Sequence, residues 1–114
     1  MSSAGRIPVS SVNAQQYEPF VHEGKPFGEV HWLRTESGGV GVLYAGLWSH
    51  DPATFRYVFP GDETFHLLEG RVRIQVDGLP AVDLEPGDIV SFTKGQASTW
   101  TISARMKKFF VISG

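Results

Sequence analysis

The sequence predicts an all-β protein, a sandwich or barrel of short strands. Its 13 Gly and 7 Pro residues separate short runs of β-branched and aromatic residues, which is the pattern of strands joined by turns. The stretch from Arg71 to Val76 alternates apolar side chains with charged or amide ones, as a strand with one buried face does. No window shows a helical apolar stripe with caps, so helix is minor at most.

The elements follow from these runs and from the dipeptides between them. Gly tolerates the positive φ of hairpin turns, so we expect tight turns at Glu69-Gly70 and Asp77-Gly78 and a chain reversal at Pro86-Gly87. The predicted strands are Glu29–Thr35, Val40–Trp48, Thr54–Phe59, Glu63–Leu68, Arg71–Val76, Ala81–Leu84, Asp88–Phe92, Ser98–Ser103 and Lys107–Ile112.

The N-terminal segment differs in composition from the rest of the chain and contains Ser, Gln and scattered Pro. We expect residues 1–27 to form an arm that packs across the barrel or onto a second subunit, and residues 28–114 to form a single domain. A chain of 114 residues is large enough for one core. A homodimer is expected, because exposed strand edges invite pairing and the arm carries apolar residues that need burial.

Composition excludes several classes of function. The formal net charge is -2, and no basic run is longer than Lys107-Lys108, so no nucleic-acid partner is expected. The absence of cysteine excludes disulfides, thiolate metal sites and a cysteine nucleophile. The N-terminus lacks the apolar stretch of a secretory signal, and no apolar run is long enough to span a bilayer. We therefore expect a soluble, cytoplasmic protein without a membrane partner.

Two segments sharpen the fold. The first runs from Tyr57 to Gly70 and reads YVFPGDETFHLLEG, and the second runs from Gly87 to Ser98 and reads GDIVSFTKGQAS. Their spacings resemble the two signature motifs of the cupin superfamily, and the resemblance covers about Trp48 to the C-terminus. It implies a double-sheet jelly-roll β-barrel, which shields its strand edges around an interior lined by alternating residues.

Further residues resemble one branch of that superfamily. This is the small single-domain branch related to the cupin domains of (S)-ureidoglycine aminohydrolases and ethanolamine-utilisation proteins. The residues that carry the likeness are Gly46-Leu47-Trp48, Thr93-Lys94-Gly95, Thr99-Trp100 and Lys108-Phe109-Phe110-Val111-Ile112.

The resemblance also locates the metal-ligand positions of the superfamily. In metal-binding cupins, two His and a Glu of the first motif and one His of the second converge on a divalent ion. Here these positions hold Tyr57, Phe59, Glu63 and Ser98, and the Glu/His/His/Gln set of aminohydrolase relatives is not matched either. One carboxylate with a phenol and a hydroxyl is a poor set for a transition metal. We expect the four side chains to share one interior, with no tightly bound metal and no other cofactor.

The four histidines are scattered over different segments. His66 lies three residues past Glu63, so on a strand it points to the opposite face. We expect His50 in a solvent-facing loop, His31 on a strand surface and His22 in the arm. A metal site made of histidines is therefore not favoured.

Glu63 is the candidate catalytic residue. If Phe65 and Leu67 face inward with it, burial would favour the neutral acid, which suits proton transfer or hydrogen bonding to a polar ligand. The alternative is a structural carboxylate, satisfied by backbone N–H groups or by one of the nearby arginines, Arg56, Arg71 and Arg73.

Aromatic residues around these positions could wall a pocket, because small-molecule sites combine apolar surface with few polar groups. They could equally fill the barrel, as interior aromatics do in small barrels. The candidate pocket residues are Trp48, Tyr57, Phe59, Glu63, Phe65, Ser98 and Trp100.

Three classes of function remain open. The first is a protein that binds a small polar metabolite inside the barrel without a tightly bound metal. The second is a small-metabolite enzyme of the ureide or aminohydrolase-like cupin type, which would use Glu63 with or without a weakly held divalent metal. The third is a chemically inert oligomerisation module.

Overall fold

The computed structural model describes residues 7–114, and within that range it consists of strands and connecting turns without a helix. The all-β prediction is confirmed. No helix in the described range is long and apolar enough to cross a membrane. The strands are β1 (Glu18–His22), β2 (Lys25–Arg34), β3 (Leu43–His50), β4 (Ala53–Val58), β5 (Asp62–Val76), β6 (Val82–Leu84), β7 (Ile89–Phe92) and β8 (Ala97–Ser113).

Two long strands organise the molecule. The 15 residues of β5 and the 17 residues of β8 pair antiparallel, from Asp62 opposite Ser113 to Val76 opposite Ser98. We call this pair the β5–β8 ribbon. At one end of the ribbon, β8 pairs with β3, which is followed in the sheet by β2 and β1, and β5 pairs with β7. The other end pairs with β4 and β6. The continuous sheet therefore folds into two layers that share their central strands, which is the predicted double-sheet jelly roll.

The prediction of a tight turn at Glu69-Gly70 is wrong. Both residues belong to β5, where the pairing with β8 shifts register between Leu67 and Val72. Gly70 has φ +93°, and a Cβ there would lie 2.3 Å from the Arg105 carbonyl oxygen. The glycine therefore bends one strand from the first layer into the second, because only a residue without a side chain fits this approach.

The other two turn predictions are confirmed. After β5, the Leu79 N–H donates to the Val76 carbonyl at 3.0 Å, which closes the turn around Asp77-Gly78. Before β7, the Asp88 N–H donates to the Glu85 carbonyl at 3.0 Å, which closes the turn at Pro86-Gly87.

The predicted arm contains a strand that the sequence analysis missed. β1 pairs with β2 through a turn in which Glu23 and Gly24 both have positive φ, as a two-residue hairpin turn requires. Ahead of it, the chain crosses the outer face of the sheet. There His31 Nδ1–H donates to the Gln16 carbonyl and His31 Nε2 accepts from the Ser10 hydroxyl, each at 2.7 Å. Residues 1–6 of the predicted arm lie outside the described residues.

The core lies between the two layers. Alternation along the long strands directs Phe65, Leu67 and Ile74 inward from β5, and Trp100 and Met106 inward from β8, all with at most 1% of their surface exposed. Aromatic rings dominate, and Trp100 lies 5.8 Å from Phe65 between ring centroids. One part of this interior remains open to solvent beside the β1–β2 hairpin.

Candidate ligand-binding cavity

An open cavity of about 320 Å³ lies between the β1–β2 hairpin and the two layers. Its wall is mostly aromatic and includes all three tryptophans of the chain, Trp32, Trp48 and Trp100. Phe27 of the hairpin packs into the same wall, with its ring centroid 5.2 Å from Trp48 and 5.7 Å from Tyr57. The Trp48 Nε1–H donates to the Phe27 carbonyl at 2.9 Å, so the hairpin is fixed to β3 at this point.

A buried ion pair forms the polar part of the cavity lining. The Lys108 ammonium donates to Oε2 of Glu63, and the side chains are 7% and 1% exposed. Strand alternation explains the placement, because Lys108 shares the inward face of β8 with Met106 and Phe110. Burying a charge is costly unless it is paired and hydrogen-bonded, so the pairing is what allows both side chains to lie in this apolar interior.

Aromatic rings complete the surroundings of Lys108. Its Nζ lies 4.9 Å from the ring centroid of Trp48, 4.6 Å from Phe65, 5.0 Å from Trp100 and 5.5 Å from Phe110. Ring faces attract a cation within about 6 Å. Burial lowers the pKa of Lys108, and the carboxylate of Glu63 opposes that effect. The rings and the carboxylate together replace much of the hydration that the ammonium has lost.

The second carboxylate oxygen of Glu63 is different. Oε1 is buried, and no group in residues 7–114 makes a hydrogen bond to it. Burial, then the negative charge of Glu63 and a side-chain interaction with it, raise the pKa of the Tyr57 phenol, but the phenol is not in hydrogen-bonding geometry with Oε1. Glu63, which lines the cavity, therefore carries one strong acceptor that residues 7–114 leave unpaired.

The predicted interior positions are all buried, with different surroundings. Tyr57, Phe59, Glu63 and Ser98 are at most 9% exposed. Of the predicted pocket residues, Trp48, Tyr57, Glu63 and Trp100 line the cavity, whereas Phe59, Phe65 and Ser98 lie in the packed core behind it.

Ser98 and Phe59 have evident structural partners. The Ser98 hydroxyl donates to the Tyr57 carbonyl at 2.8 Å and accepts from the Trp100 Nε1–H at 3.1 Å. Phe59 stacks on Phe92, with ring centroids 4.4 Å apart. Both residues therefore support the wall rather than face a ligand.

Sequence reasoning missed Lys108 as a site residue and as the partner of Glu63. None of the arginines considered for that role serves it. Arg56 pairs with Asp77 and Arg73 with Asp83 on the outer surface, and Arg71 donates to the Gly70 carbonyl. One sequence feature could have identified Lys108 as an interior residue. It lies in an alternating run whose other inward-facing members, Met106, Phe110 and Ile112, are apolar.

The positions of the four histidines agree only in part with the predictions. His66 lies on the face of β5 opposite Glu63, and His31 lies on the outer face of β2, as expected. The prediction that His50 lies in a solvent-facing loop is wrong. His50 is the last residue of β3 and is half-buried, with its ring centroid 5.3 Å from that of Trp48 and 5.4 Å from that of Phe55. His22 of the predicted arm lies on the cavity wall, 5.4 Å from the Tyr57 ring.

The donor set does not fit the divalent metal of metal-binding cupins. Phe59 offers no donor atom, and the Ser98 hydroxyl is already used twice within the core. Glu63 carries the Lys108 ammonium beside it, and that positive charge would repel a metal ion. Across residues 7–114, no three or more His, Asp or Glu side chains are grouped to hold a metal.

Comparison with known sequences decides the family. The family model described as "EutQ-like cupin domain" matches residues 37–110, which is well over half of the chain. The chain belongs to the family of EutQ-like cupin domains. The match spans both motifs, and the resemblance to ethanolamine-utilisation proteins is confirmed. No curated protein matches this chain.

Solved structures share the fold. A DUF861 family protein from Thermotoga maritima is 26% identical, with a TM-score of 0.54 over 56% of this chain and 73% of that one. The EutQ protein of Clostridium difficile is 20% identical, with a TM-score of 0.63 over 74% of this chain and 60% of that one. A DUF1255 protein of unknown function from Acidithiobacillus ferrooxidans is 14% identical, with a TM-score of 0.67 over 96% and 97% of the two chains. This EutQ-like cupin domain therefore has relatives that establish its fold.

Proposed function

We propose that this EutQ-like cupin domain binds a small metabolite in its interior without a tightly bound metal. The observation that carries the proposal is the cavity of about 320 Å³ with aromatic walls and a buried carboxylate in its lining. Its volume falls in the range of small-molecule sites, which are apolar with a few placed polar groups. An inert module of this size would be expected to fill its interior with side chains.

The polar groups of the cavity suit recognition. Glu63 is held in place by Lys108 and Lys108 by its ring contacts, so the acceptor Oε1 is fixed before a ligand arrives. A preorganised site loses less entropy on binding than a mobile one. The hairpin residues Phe20, His22 and Phe27 add a wall on the solvent side, which would shield a bound molecule from water.

The test is thermal unfolding in the presence of a panel of small cyclic and polar metabolites. A ligand that binds only the folded state raises the melting temperature by mass action. Val42→Trp should abolish the shift, because Val42 lies on the cavity wall and is 42% exposed, so a larger ring there would obstruct the opening.

Val40→Trp is the matched control, since Val40 is fully exposed and lies outside the cavity. We expect it to keep the full ligand-induced shift. A panel without any shift, or a shift that survives Val42→Trp unchanged, would overturn the proposed function.

A further inference from the structure

The lining of the cavity limits the chemistry of its ligand. Glu63 and Lys108 carry opposite charges and neutralise each other. The other lining residues contribute rings, aliphatic groups, phenols and one imidazole, from His22. An anionic ligand would have to compete with Glu63 for the ammonium, and a cationic one would lie beside Lys108. Because uncompensated charge is costly in a desolvated site, an uncharged ligand fits best.

Oε1 of Glu63 defines the polar contact. Glu63 belongs to the cavity lining, its side chain is fully buried, and no group in the described chain is in hydrogen-bonding geometry with Oε1. Buried polar atoms nearly always have partners, and an unpaired one carries a desolvation penalty. A ligand that brings an N–H or O–H group to this atom would remove the penalty, and a ligand with only acceptors would not.

The size and walls define the rest of the molecule. An apolar cavity of about 150 Å³ in another protein holds benzene, so about 320 Å³ suits a body of two fused rings. Aromatic rings from Trp48, Trp100 and Phe27 supply flat surfaces for stacking or edge contacts.

We infer that the ligand is an uncharged, flat ring compound that donates one hydrogen bond to Oε1 of Glu63. This inference rests on the proposed function and adds the chemical class of the ligand. In it, the Lys108 ammonium is the permanent counter-charge of the carboxylate, in the interior where other cupins hold a metal ion, and the donor of the ligand completes the hydrogen bonding of Glu63.

The experiment is isothermal titration calorimetry with two probes of nearly the same shape. Indole carries an N–H donor, and benzofuran has an ether oxygen in its place. Indole should bind about ten-fold more tightly or better, because a hydrogen bond to an ionised group discriminates by at least that factor. Equal affinity, or tighter binding of benzofuran, would overturn the inference while leaving cavity binding intact. Binding of neither probe would also overturn the inference, whereas the metabolite panel decides the proposed function separately.

Two further probes test the charge of the ligand. At neutral pH, 2-aminoindane is a cation and indane-2-carboxylate is an anion, and both keep the two-ring body. Each should bind more weakly than indole. Tighter binding of either would contradict the neutral-ligand inference, and the sign of the preferred charge would show which member of the pair the ligand replaces.

Variants assign the preference to the carboxylate. In Glu63→Leu/Lys108→Met, the pair is removed without leaving one charge unpaired, and the ratio of indole to benzofuran affinity should fall to near unity. The matched control is Arg73→Met/Asp83→Leu, which removes an exposed ion pair outside the cavity and should keep the preference. A preference that survives Glu63→Leu/Lys108→Met, or that disappears in Arg73→Met/Asp83→Leu, would show that Glu63 is not the acceptor.

Discussion

Lys108 of β8 is the hydrogen-bonded partner of Glu63 of β5 in the interior of the molecule, although the register places Glu63 opposite Ile112 and Lys108 opposite Leu67. The pair joins the two longest strands near the cavity, and four rings surround its cationic member. It thereby links the stability of the fold to the chemistry of the candidate site.

The first prediction concerns the energetics of the pair. Glu63→Leu or Lys108→Met alone leaves a buried charge without its counter-charge, which should lower the free energy of unfolding by about 3–5 kcal/mol. Glu63→Leu/Lys108→Met should be much less destabilising than the sum of the single changes. Urea unfolding of all four proteins measures this coupling. Additive effects would show that the two side chains do not interact.

The second prediction concerns Tyr57 and pH. Burial raises the pKa of Tyr57 above the ordinary value of 10.0, so the folded protein keeps this proton where the unfolded chain releases it. The stability tied to the neutral phenol is complete below pH 10 and is lost as the pH rises above it. Tyr57→Phe lacks this loss. The difference in unfolding free energy between wild type and variant, followed from neutral to alkaline pH, should therefore shrink above about pH 10; parallel curves would contradict the burial of the phenol.

The third prediction separates support of the cavity wall from contact with a ligand. Ser98→Ala removes the acceptor of the Trp100 Nε1–H and the donor to the Tyr57 carbonyl. Leaving a buried donor unpaired should cost about 1–3 kcal/mol of stability, while the affinity for indole stays close to that of the wild type. Ser103→Ala, at an exposed position, is the control for both readouts. A large loss of affinity with little loss of stability would place Ser98 in the binding site.

The fourth prediction tests the strand bend. Gly70→Ala would place a Cβ 2.3 Å from the Arg105 carbonyl oxygen, in addition to the strain of φ +93°. Gly78→Ala has a similar φ of +82° but meets nothing within 4 Å, so it incurs only the backbone cost of about 1–2 kcal/mol. We expect Gly70→Ala to be clearly the more destabilising of the two by urea unfolding. Equal effects would mean that Gly70 is needed only for its dihedral angle.

Glu63 and Lys108 also show how far the sequence could predict this molecule. Alternation and motif spacing placed Glu63 and Ser98 in the interior, because side-chain direction follows directly from strand period. They could not show that Lys108 meets Glu63, since that contact depends on the register of β5 against β8. Nor could they show that Glu69-Gly70 bends a strand rather than ends it, because the same dipeptide suits a hairpin turn.

The cavity was harder to predict from the sequence than the ion pair, because its walls come from segments that meet only in the tertiary structure. Four of the predicted pocket residues line it, but its outer wall comes from the β1–β2 hairpin, in a segment whose composition suggested an arm. Phe20 and His22 face the cavity only because β1 pairs with β2. A polar, proline-containing stretch gives little local indication of such pairing.

The most direct test of the account is a nuclear magnetic resonance titration of the ¹⁵N-labelled protein with indole. All three tryptophans line the cavity, so their side-chain indole N–H resonances are three internal reporters of its occupancy. We predict saturable shifts of these resonances with one shared affinity, and the loss of these shifts in Val42→Trp but not in Val40→Trp. Unperturbed tryptophan resonances, with shifts confined to the outer face of the sheet around His31, would contradict it.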